Sequence, residues 1–290
     1  MTVYLNGKFM PIAEAYVPVL DRGFIFGDGV YEVIPAYSKR AFRLPEHLKR
    51  LQHSLAGIRL PNPHSDAEWT TIINELIARN EPEDQYLYLH ITRGVAKRDH
   101  AFPQPPVAPT VYIMSSPLTT PAAVLLASGV SAVTAVDNRW LHCDIKAISL
   151  LPNVLLRQQA VDAGCAEAIL IRPDPITGAS FMTEGSASNI FVVKNGTLLA
   201  PPKDHLMLPG ITYDVVLELA KSAGIPHEVR RIAVAEVHNA DELLLTSSTK
   251  EVLAITTLDK KPVGNGKPGP IFAQLYSLYQ TFKHEVMRKP

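Results

Sequence analysis

Asn-Gly dipeptides stand between apolar-rich segments at two places in this sequence, as Asn6-Gly7 in TVYLNGKFMPI and as Asn195-Gly196 in NIFVVKNGTLLAP. Asparagine and glycine tolerate the positive φ angles of a two-residue hairpin turn, so each dipeptide predicts a β-hairpin. One hairpin lies in the first half of the chain and the other in the second half. Strands paired through tight turns are therefore expected in both halves.

Helical patterns lie between the predicted strands, without a strict βαβ order. In EHLKRLQHSLAGI, Leu48, Leu51 and Leu55 recur at helical spacing. Ser65 followed by Glu68 is a capping box that opens a helix in DAEWTTIINELIARN. Further helices are predicted in LPNVLLRQQAVDAG, in ITYDVVLELAKSAGIP and in the last twenty residues. Helices mixed with strands in both halves predict an α+β protein.

The segment SPLTTPAAV is rich in proline, serine and threonine and is typical of a domain boundary. We place the boundary there, which gives a smaller N-terminal α+β domain of residues 1–118 and a larger C-terminal α+β domain of residues 119–290. A chain of 290 residues is long enough for two moderate cores. The overlapping apolar stretch PAAVLLASGVSAVTAV is broken by serines and a glycine, so it predicts a linker and a buried strand rather than a membrane span.

Composition excludes several classes of partner. Lysine plus arginine equals aspartate plus glutamate, at 28 each, so nothing in the charge suggests a nucleic acid or an anionic membrane as partner. The two cysteines make no disulfide framework and favour a reducing compartment. The N-terminal MTVYLNGKFM lacks the pattern of a signal peptide. We expect a cytoplasmic protein, and no cysteine or histidine cluster has metal-ligand spacing.

Lys146 in HCDIKAISLL is followed directly by an apolar run. Lysine is rarely buried without a partner, and burial favours the neutral, reactive form of an amine. From the spacing alone Lys146 is a surface residue, an ion-pair partner of Asp144 or a reactive amine, and these alternatives stay open.

Four other segments combine polar groups whose role the pattern alone does not decide. TEGSASNIF places Glu184 among small hydroxyl residues. Either the segment is a polar loop, or Glu184 is a carboxylate aimed at a cationic nitrogen. Thr212 in LPGITYDVV lies near a helix start, where it caps the helix or helps to bind a phosphate. Arg50 lies off the leucine stripe, as a solvated residue or a phosphate ligand. The hydroxyls of LLLTSSTKEV bind phosphate or form a turn.

Two segments of the first half are also unusual. In DRGFIFGDGVYE, Gly23, Gly27 and Gly29 lie among aromatic residues, which predicts a tight bend with a group packed against its backbone. TRGVAKRDHAFP is a cationic loop that includes Arg98 and His100. Such a loop is an exposed turn or a site for a carboxylate.

These segments, taken in their order along the chain, resemble the fold-type IV pyridoxal 5′-phosphate (PLP) enzymes, and among them the bacterial D-amino acid aminotransferase family. The resemblance covers nearly the whole chain, from DRGFIFGDGVYE through the Arg-x-His after TRG, RWLHCDIK, TEGSASNIF and LPGIT to TSST. It implies a two-domain α+β fold whose C-terminal domain carries the cofactor lysine. It also implies transamination of D-amino acids such as D-alanine, with 2-oxoglutarate or pyruvate as acceptor.

The resemblance assigns roles to individual residues. Lys146 would hold PLP as a Schiff base and shuttle the α-proton. Glu184 would pair with the pyridine nitrogen, and Leu208 would pack on the ring. The resemblance also implies contacts with the cofactor from Arg50, Ser188, Ile211, Thr212, Ser247 and Ser248. It implies contacts with the substrate α-carboxylate from Tyr31, Arg98 and His100.

Related activities share the cofactor residues. An aminodeoxychorismate lyase, an (R)-selective amine transaminase and a branched-chain L-aminotransferase are the alternatives, and the Arg-x-His after TRG favours D-amino acids. A PLP carrier without turnover would need no site for a substrate carboxylate. Ala187 and Pro35 depart from residues common in the family, so the range of substrates is left open. A homodimer is expected by resemblance, with His100 reaching across to the neighbouring chain.

Overall fold

The computed structural model describes residues 1–174 and 176–289, which divide into two compact units. Unit 1 comprises Met1–Thr119, Ile145–Leu150 and the residues from Val286 onward. Unit 2 comprises Thr120–Asp144 and Leu151–Glu285. The assignment of Lys146 to the C-terminal domain is therefore corrected, because its segment pairs with a strand of unit 1. The division at residue 118 remains our proposal for the domain boundary.

Unit 1 is built on a six-stranded antiparallel sheet with the strand order β2-β1-β6-β5-β3-β4. The hairpin predicted at Asn6-Gly7 is confirmed, since Leu5 pairs with Lys8 and both turn residues have positive φ. Strand bounds are β1 Thr2–Leu5, β2 Lys8–Pro11, β3 Gly29–Tyr37, β4 Arg40–Ala41, β5 Gln85–Thr92 and β6 Thr110–Pro117.

The two longest helices of unit 1 pack on one face of this sheet. They are α1 Arg22–Phe26, α2 Leu44–Gly57 and α3 Asp66–Arg79, with a 3-10 turn at Ile12–Glu14. Leu51 and Leu55 of α2 and Trp69 of α3 are fully buried in one core cluster with the inward residues of β5. Residues of β5 alternate, so Tyr88 and His90 lie on the opposite, partly exposed face.

The predicted capping box at the start of α3 is confirmed. The Ser65 hydroxyl accepts the backbone N–H of Glu68, and the Glu68 carboxylate accepts the backbone N–H of Ser65. Replacing Ser65 with alanine should lower the free energy of unfolding of unit 1 by about 1 kcal/mol, because one N–H at the helix start loses its acceptor. Urea unfolding would measure this. Ser65→Asp, which keeps an acceptor, is the control, and an unchanged midpoint in Ser65→Ala would contradict the prediction.

In unit 2 the described residues form a ten-stranded mixed sheet in the order β12-β11-β10-β14-β15-β7-β8-β9-β13, with β16 paired to β15. The hairpin predicted at Asn195-Gly196 joins β10 to β11. Pairs β15–β7, β7–β8 and β11–β12 are parallel. Strand bounds are β7 Val130–Val136, β8 Glu167–Pro173, β9 Ser180–Gly185, β10 Asn189–Lys194, β11 Thr197–Ala200, β12 His227–Val229, β13 Ile232–Ala233, β14 Glu242–Ser247, β15 Glu251–Leu258 and β16 Lys261–Pro262.

The helices of unit 2 include one in the segment for which the sequence predicts a linker. Ala123–Ser128 forms the short helix α4, so only part of PAAVLLAS is an extended connection. The other helices are α5 Leu151–Asp162, α6 Ile211–Ser222, α7 Val234–His238 and α8 Pro270–Phe282, and a π-helical turn follows at Lys283–Met287. Among the described residues, no helix combines the length and apolar character that crossing a bilayer requires.

Candidate active site

Lys146 lies on a short extended segment that pairs with the start of β3. Tyr31 N–H donates to the Lys146 carbonyl at 2.9 Å, and Ile148 N–H donates to the Gly29 carbonyl at 3.1 Å. A Cβ atom on Gly29 would lie 2.4 Å from the carbonyl oxygen of Ile91, so this close pairing requires glycine. The Lys146 N–H is bound by the Ser54 hydroxyl at 3.0 Å. The backbone of Lys146 is thus fixed on both sides.

The amine of Lys146 is buried beside an aromatic ring. Lys146 is 9% exposed, so the interpretation as a surface residue is wrong. Its Nζ lies 4.1 Å from the ring centroid of Tyr31, a cation–π distance. This contact, together with the backbone bonds, orients the amine within unit 1.

A buried cluster of charged residues occupies the same unit. Arg50 donates side-on to the Glu32 carboxylate, with Nε–Oε1 and Nη2–Oε2 distances of 2.7 Å. His47 Nδ1 lies 2.8 Å from Glu32 Oε2. Burial opposes ionisation of Glu32, but the Arg50 guanidinium and the His47 hydrogen bond hold its pKa below the usual range. Arg50 is therefore a buried, oriented cation, and the interpretation as a solvated arginine is wrong.

His47 completes this cluster in its neutral form. Burial lowers the pKa of His47, so the ring is neutral near pH 7 and donates Nδ1–H to Glu32. Its Nε2 is then a buried acceptor with no partner among the described residues. The cluster suits recognition of an anion by Arg50.

Glu184, the acidic residue of β9, is held in unit 2 by three donors. Its Oε1 accepts Arg139 Nη1 at 2.6 Å. Its Oε2 accepts Asn189 Nδ2 at 3.1 Å and the backbone N–H of Leu208 at 3.2 Å. Burial raises the pKa of Glu184 to about 7, and the Arg139 guanidinium limits that rise. The result is a fixed carboxylate that titrates near neutral pH.

Asn189 links this carboxylate to the start of α6. Its Nδ2 also donates to the Leu208 carbonyl at 2.9 Å. A Cβ atom on Gly210 would lie only 2.0 Å from Asn189 Oδ1, so the turn before α6 packs directly on this amide. Gly210 is the N-cap and provides no side-chain acceptor, so the interpretation of Thr212 as the N-cap is wrong. The N–H groups of the first turn suit an anion.

Thr246 supplies a further polar atom in the same region. It pairs directly with Asn189 across β14 and β10. Its Oγ1 is buried and has no hydrogen-bond partner among the described residues. Buried hydroxyls normally have a partner, so Thr246 indicates a place for a polar ligand. Ser247 and Ser248, which follow, are half-buried, and Ser247 Oγ accepts the backbone N–H of Lys250 at 3.1 Å.

Ser188 lies on the turn between β9 and β10. Its hydroxyl donates to Glu167 Oε2 at 2.7 Å, and the backbone N–H of Ser186 donates to Glu167 Oε1 at 3.0 Å. Glu167 is fully buried and supports this turn beside Glu184. The predicted role of Ser188 in binding the cofactor stays a prediction.

The three residues predicted to bind the substrate carboxylate fall in two places of unit 1. Tyr31 is beside Lys146. Arg98 and His100 are exposed on the loop after Arg93, and both lie against Phe26. The Arg98 guanidinium carbon is 5.5 Å, and the His100 ring centroid 5.3 Å, from the centroid of the Phe26 ring. Within the described residues neither contacts the Tyr31 ring.

Several residues of this site were missed from the sequence. Arg139 is the most prominent, because it bonds Glu184 and is itself held by Asp137 at 2.9 and 3.0 Å. The available signal was an Asp-x-Arg directly after the apolar strand VSAVTAV. Glu32 and His47 carried no comparable local signal.

Comparison with known proteins shows the family to which the chain belongs. The class IV amino-transferase family model matches residues 29–258 of the chain. The chain belongs to the class IV aminotransferases.

This membership confirms the predicted resemblance, the α+β fold-type IV architecture and the enzyme class, and class IV aminotransferases use PLP. The chain is 40% identical to a D-alanine aminotransferase of Bacillus licheniformis over 280 residues, 97% of this chain and 96% of that protein. It is 37% identical to a D-alanine aminotransferase of Staphylococcus aureus, strain MSSA476, over 97% of each.

Solved class IV structures share the fold. A T.th. branched-chain amino acid aminotransferase with pyridoxamine 5′-phosphate superposes with a TM-score of 0.89 at 27% identity, covering 100% of this chain and 95% of that one. The branched-chain aminotransferase of Escherichia coli gives a TM-score of 0.86 at 26% identity, covering 95% and 92%.

The residues present fit PLP. In unit 1 a buried amine is available to an aldehyde, and Arg50 is a fixed cation. In unit 2 a carboxylate, an α6 N-terminus and the Thr246 hydroxyl without a partner lie in one connected region. These groups match an aldehyde, a phosphate and a protonated ring nitrogen.

Proposed function

We propose that this enzyme transfers the amino group of a D-amino acid, such as D-alanine, to a 2-oxo acid, such as 2-oxoglutarate or pyruvate. The buried and oriented amine of Lys146 is the observation that carries the proposal, because transamination requires a nucleophilic amine that is also a base. The D configuration is supported by the names of the relatives that are 36–40% identical over 94–97% of the chain.

The proposed cofactor contacts divide by the chemistry of each group. PLP supplies an electron sink when bound. Lys146 Nζ would hold the cofactor through its aldehyde group, with loss of water, and Glu184 would accept the N–H of its ring. Leu208 would pack on the ring. The remaining contacts, largely with the phosphate, are proposed for Arg50, Ser188, Ile211, Thr212, Ser247 and Ser248.

Lys146 then acts on the substrate. Once the substrate amine has replaced it on the cofactor, the freed Nζ would remove the α-proton of the amino acid and pass it to the cofactor, and in the second half-reaction it would return a proton to the α-carbon supplied by the 2-oxo acid. Tyr31, Arg98 and His100 bind the α-carboxylate. The positive guanidinium of Arg98 pairs with the negative charge of this group. Holding the carboxylate fixes which face of the α-carbon meets Lys146.

A branched-chain L-aminotransferase is the second candidate, because solved enzymes of that name share the fold with TM-scores of 0.86–0.89. Their identity to this chain is 26–27%, against 40% for the D-alanine aminotransferase of Bacillus licheniformis. The lyase and the (R)-selective amine transaminase remain alternatives on chemical grounds.

The deciding experiment is an absorbance spectrum of the enzyme with bound PLP, taken before and after D-alanine or L-alanine is added. We expect D-alanine alone to bleach the visible band and to release pyruvate. Bleaching by L-alanine alone would move the assignment to the L-type enzyme. If neither isomer bleaches the band, the lyase and the amine transaminase become the leading candidates.

A homodimer is also proposed. Large apolar side chains are exposed in each unit, among them Tyr16 and Phe24 of unit 1 and Leu141 and Leu151 of unit 2. Contiguous exposed apolar patches mark protein interfaces, and these side chains are candidates for such a patch. Light scattering after gel filtration would test it, and a monomeric mass would contradict it. The free cysteines Cys143 and Cys165 support a cytoplasmic location.

A further inference from the structure

The loop that carries Arg98 and His100 is exposed, yet one buried side chain binds its backbone. Arg22, the first residue of α1, is 3% exposed. Its Nη1 donates to the carbonyls of Asp99 at 2.6 Å and Ala101 at 3.2 Å, and its Nη2 donates to the carbonyl of His100 at 3.4 Å. Consecutive carbonyls alternate in direction along an extended chain. A single guanidinium that reaches three of them therefore requires this loop to curl around it.

The guanidinium of Arg22 is itself fixed from the other side. Its Nε donates to Asp28 Oδ2 at 2.8 Å, and Asp28 also accepts Arg93 at 2.8 and 2.9 Å. Burial opposes ionisation of Asp28, but the two arginines lower its pKa below the ordinary value. Arg93 is tied in turn to the carbonyl of Ile58 at 2.7 Å. Arg22 thus connects an exposed loop to a rigid, charged network inside unit 1.

Phe26, one turn along α1, receives the side chains of the loop. The guanidinium carbons of Arg22 and Arg98 lie 4.9 and 5.5 Å from its ring centroid, and the His100 ring is 5.3 Å away. Arg98 and His100 therefore both lie against the ring of Phe26. Phe26 belongs to the segment DRGFIFGDGVYE, and the proposed function gives its side chain no role.

We propose that Arg22 and Phe26 are positioning residues that hold Arg98 and His100 together as a site for the substrate carboxylate. Arg22 fixes the backbone of the loop, and Phe26 fixes the directions of the two side chains. The inference rests on the proposed function, in which Arg98 and His100 bind that carboxylate.

The test is a double-mutant cycle on the PLP-loaded enzyme. Arg22→Lys keeps a cation beside Asp28 but cannot reach three carbonyls. We expect it to raise KM for D-alanine about tenfold, the equivalent of about one charge-assisted hydrogen bond, with kcat and the PLP spectrum nearly unchanged. In an Arg98→Met/His100→Ala background, the same Arg22→Lys change should leave KM unaltered, because the groups it positions are gone.

The outcomes separate the inference from the proposed function. If Arg98→Met/His100→Ala leaves KM unchanged, the carboxylate role itself fails. If that variant raises KM but Arg22→Lys does not, or if the two effects on KM multiply, the positioning role of Arg22 is wrong. Phe26→Leu is the second variant should Arg22→Lys not fold, and it should show the same dependence on the Arg98/His100 background. Lys49→Ala, an exposed change on α2, is the control that should leave KM unaltered.

Discussion

Replacing Lys146 with alanine should reduce transamination by about 10⁴-fold or more, because one amine serves as nucleophile and as base. The Nζ atom lies at 4.1 Å from the Tyr31 ring centroid in a buried position. Within the described part of unit 1 no second lysine occupies such a position beside Tyr31. The measurement is the rate of pyruvate formation from D-alanine and 2-oxoglutarate, with the visible PLP band recorded in parallel.

Two further variants sharpen this prediction. Lys146→Arg keeps a cation beside Tyr31 but provides no comparable nucleophile, so it should be as inactive as the alanine variant. Lys49→Ala removes an exposed lysine from α2 and should retain full activity. Full turnover in Lys146→Ala would refute the proposed chemistry of this site.

Replacing Glu184 with glutamine should lower kcat by about 10²- to 10³-fold, the range for loss of one fixed electrostatic partner in a buried site. Glutamine has nearly the same size, but it cannot carry the negative charge that stabilises a protonated ring nitrogen. KM for D-alanine should change little, because Glu184 is not proposed to contact the substrate. Steady-state kinetics measure both constants, and an unchanged kcat would exclude Glu184 as the partner of the ring.

Glu184 also predicts a dependence of stability on pH in the cofactor-free protein. Burial raises the pKa of Glu184 from an ordinary value of 4.5 to about 7. Between these values the folded protein keeps a proton that the unfolded chain releases, so folding is favoured less as pH rises. The stability of the wild type relative to Glu184→Gln should therefore decline from pH 5 to pH 8. Urea unfolding at both pH values measures this, and a rising difference would have the wrong sign.

Sequence reasoning succeeded where local chemistry determines structure. Asn6-Gly7 and Asn195-Gly196 form hairpins because these residues themselves adopt the positive φ angles of the turn. Ser65 and Glu68 cap α3 through bonds between near neighbours. In TTPAAVLLAS the proline and threonines indicated a linker, yet Ala123–Ser128 is helical. Alanine and leucine favour a helix there, and none of its residues is buried.

The residues that sequence reasoning missed have partners far along the chain. Arg139 meets Glu184 across 45 positions, and Arg50 meets Glu32 across 18. No local periodicity in the sequence indicates such a pairing. From the sequence, each charged residue is therefore interpreted by itself, as a solvated residue or as one without an assigned role. Resemblance to a family supplied Lys146, Glu184 and Arg50 as candidates. The structure adds which neighbour fixes each charge.

The bounds of unit 1 have a consequence for biosynthesis. The chain emerges from the ribosome in order, but in unit 1 the start of β3 also forms a bridge with Ala147 of the segment Ile145–Leu150. Unit 1 further includes Arg288, which donates to Asp84 at 2.9 Å. Its contacts therefore span nearly the full length of the chain, and contacts of high sequence separation fold slowly. Unit 1 therefore completes its fold only after the residues from Val286 onward have been translated. The nascent chain must hold an unfinished unit 1, first without Lys146 and then without Arg288, while unit 2 is being made.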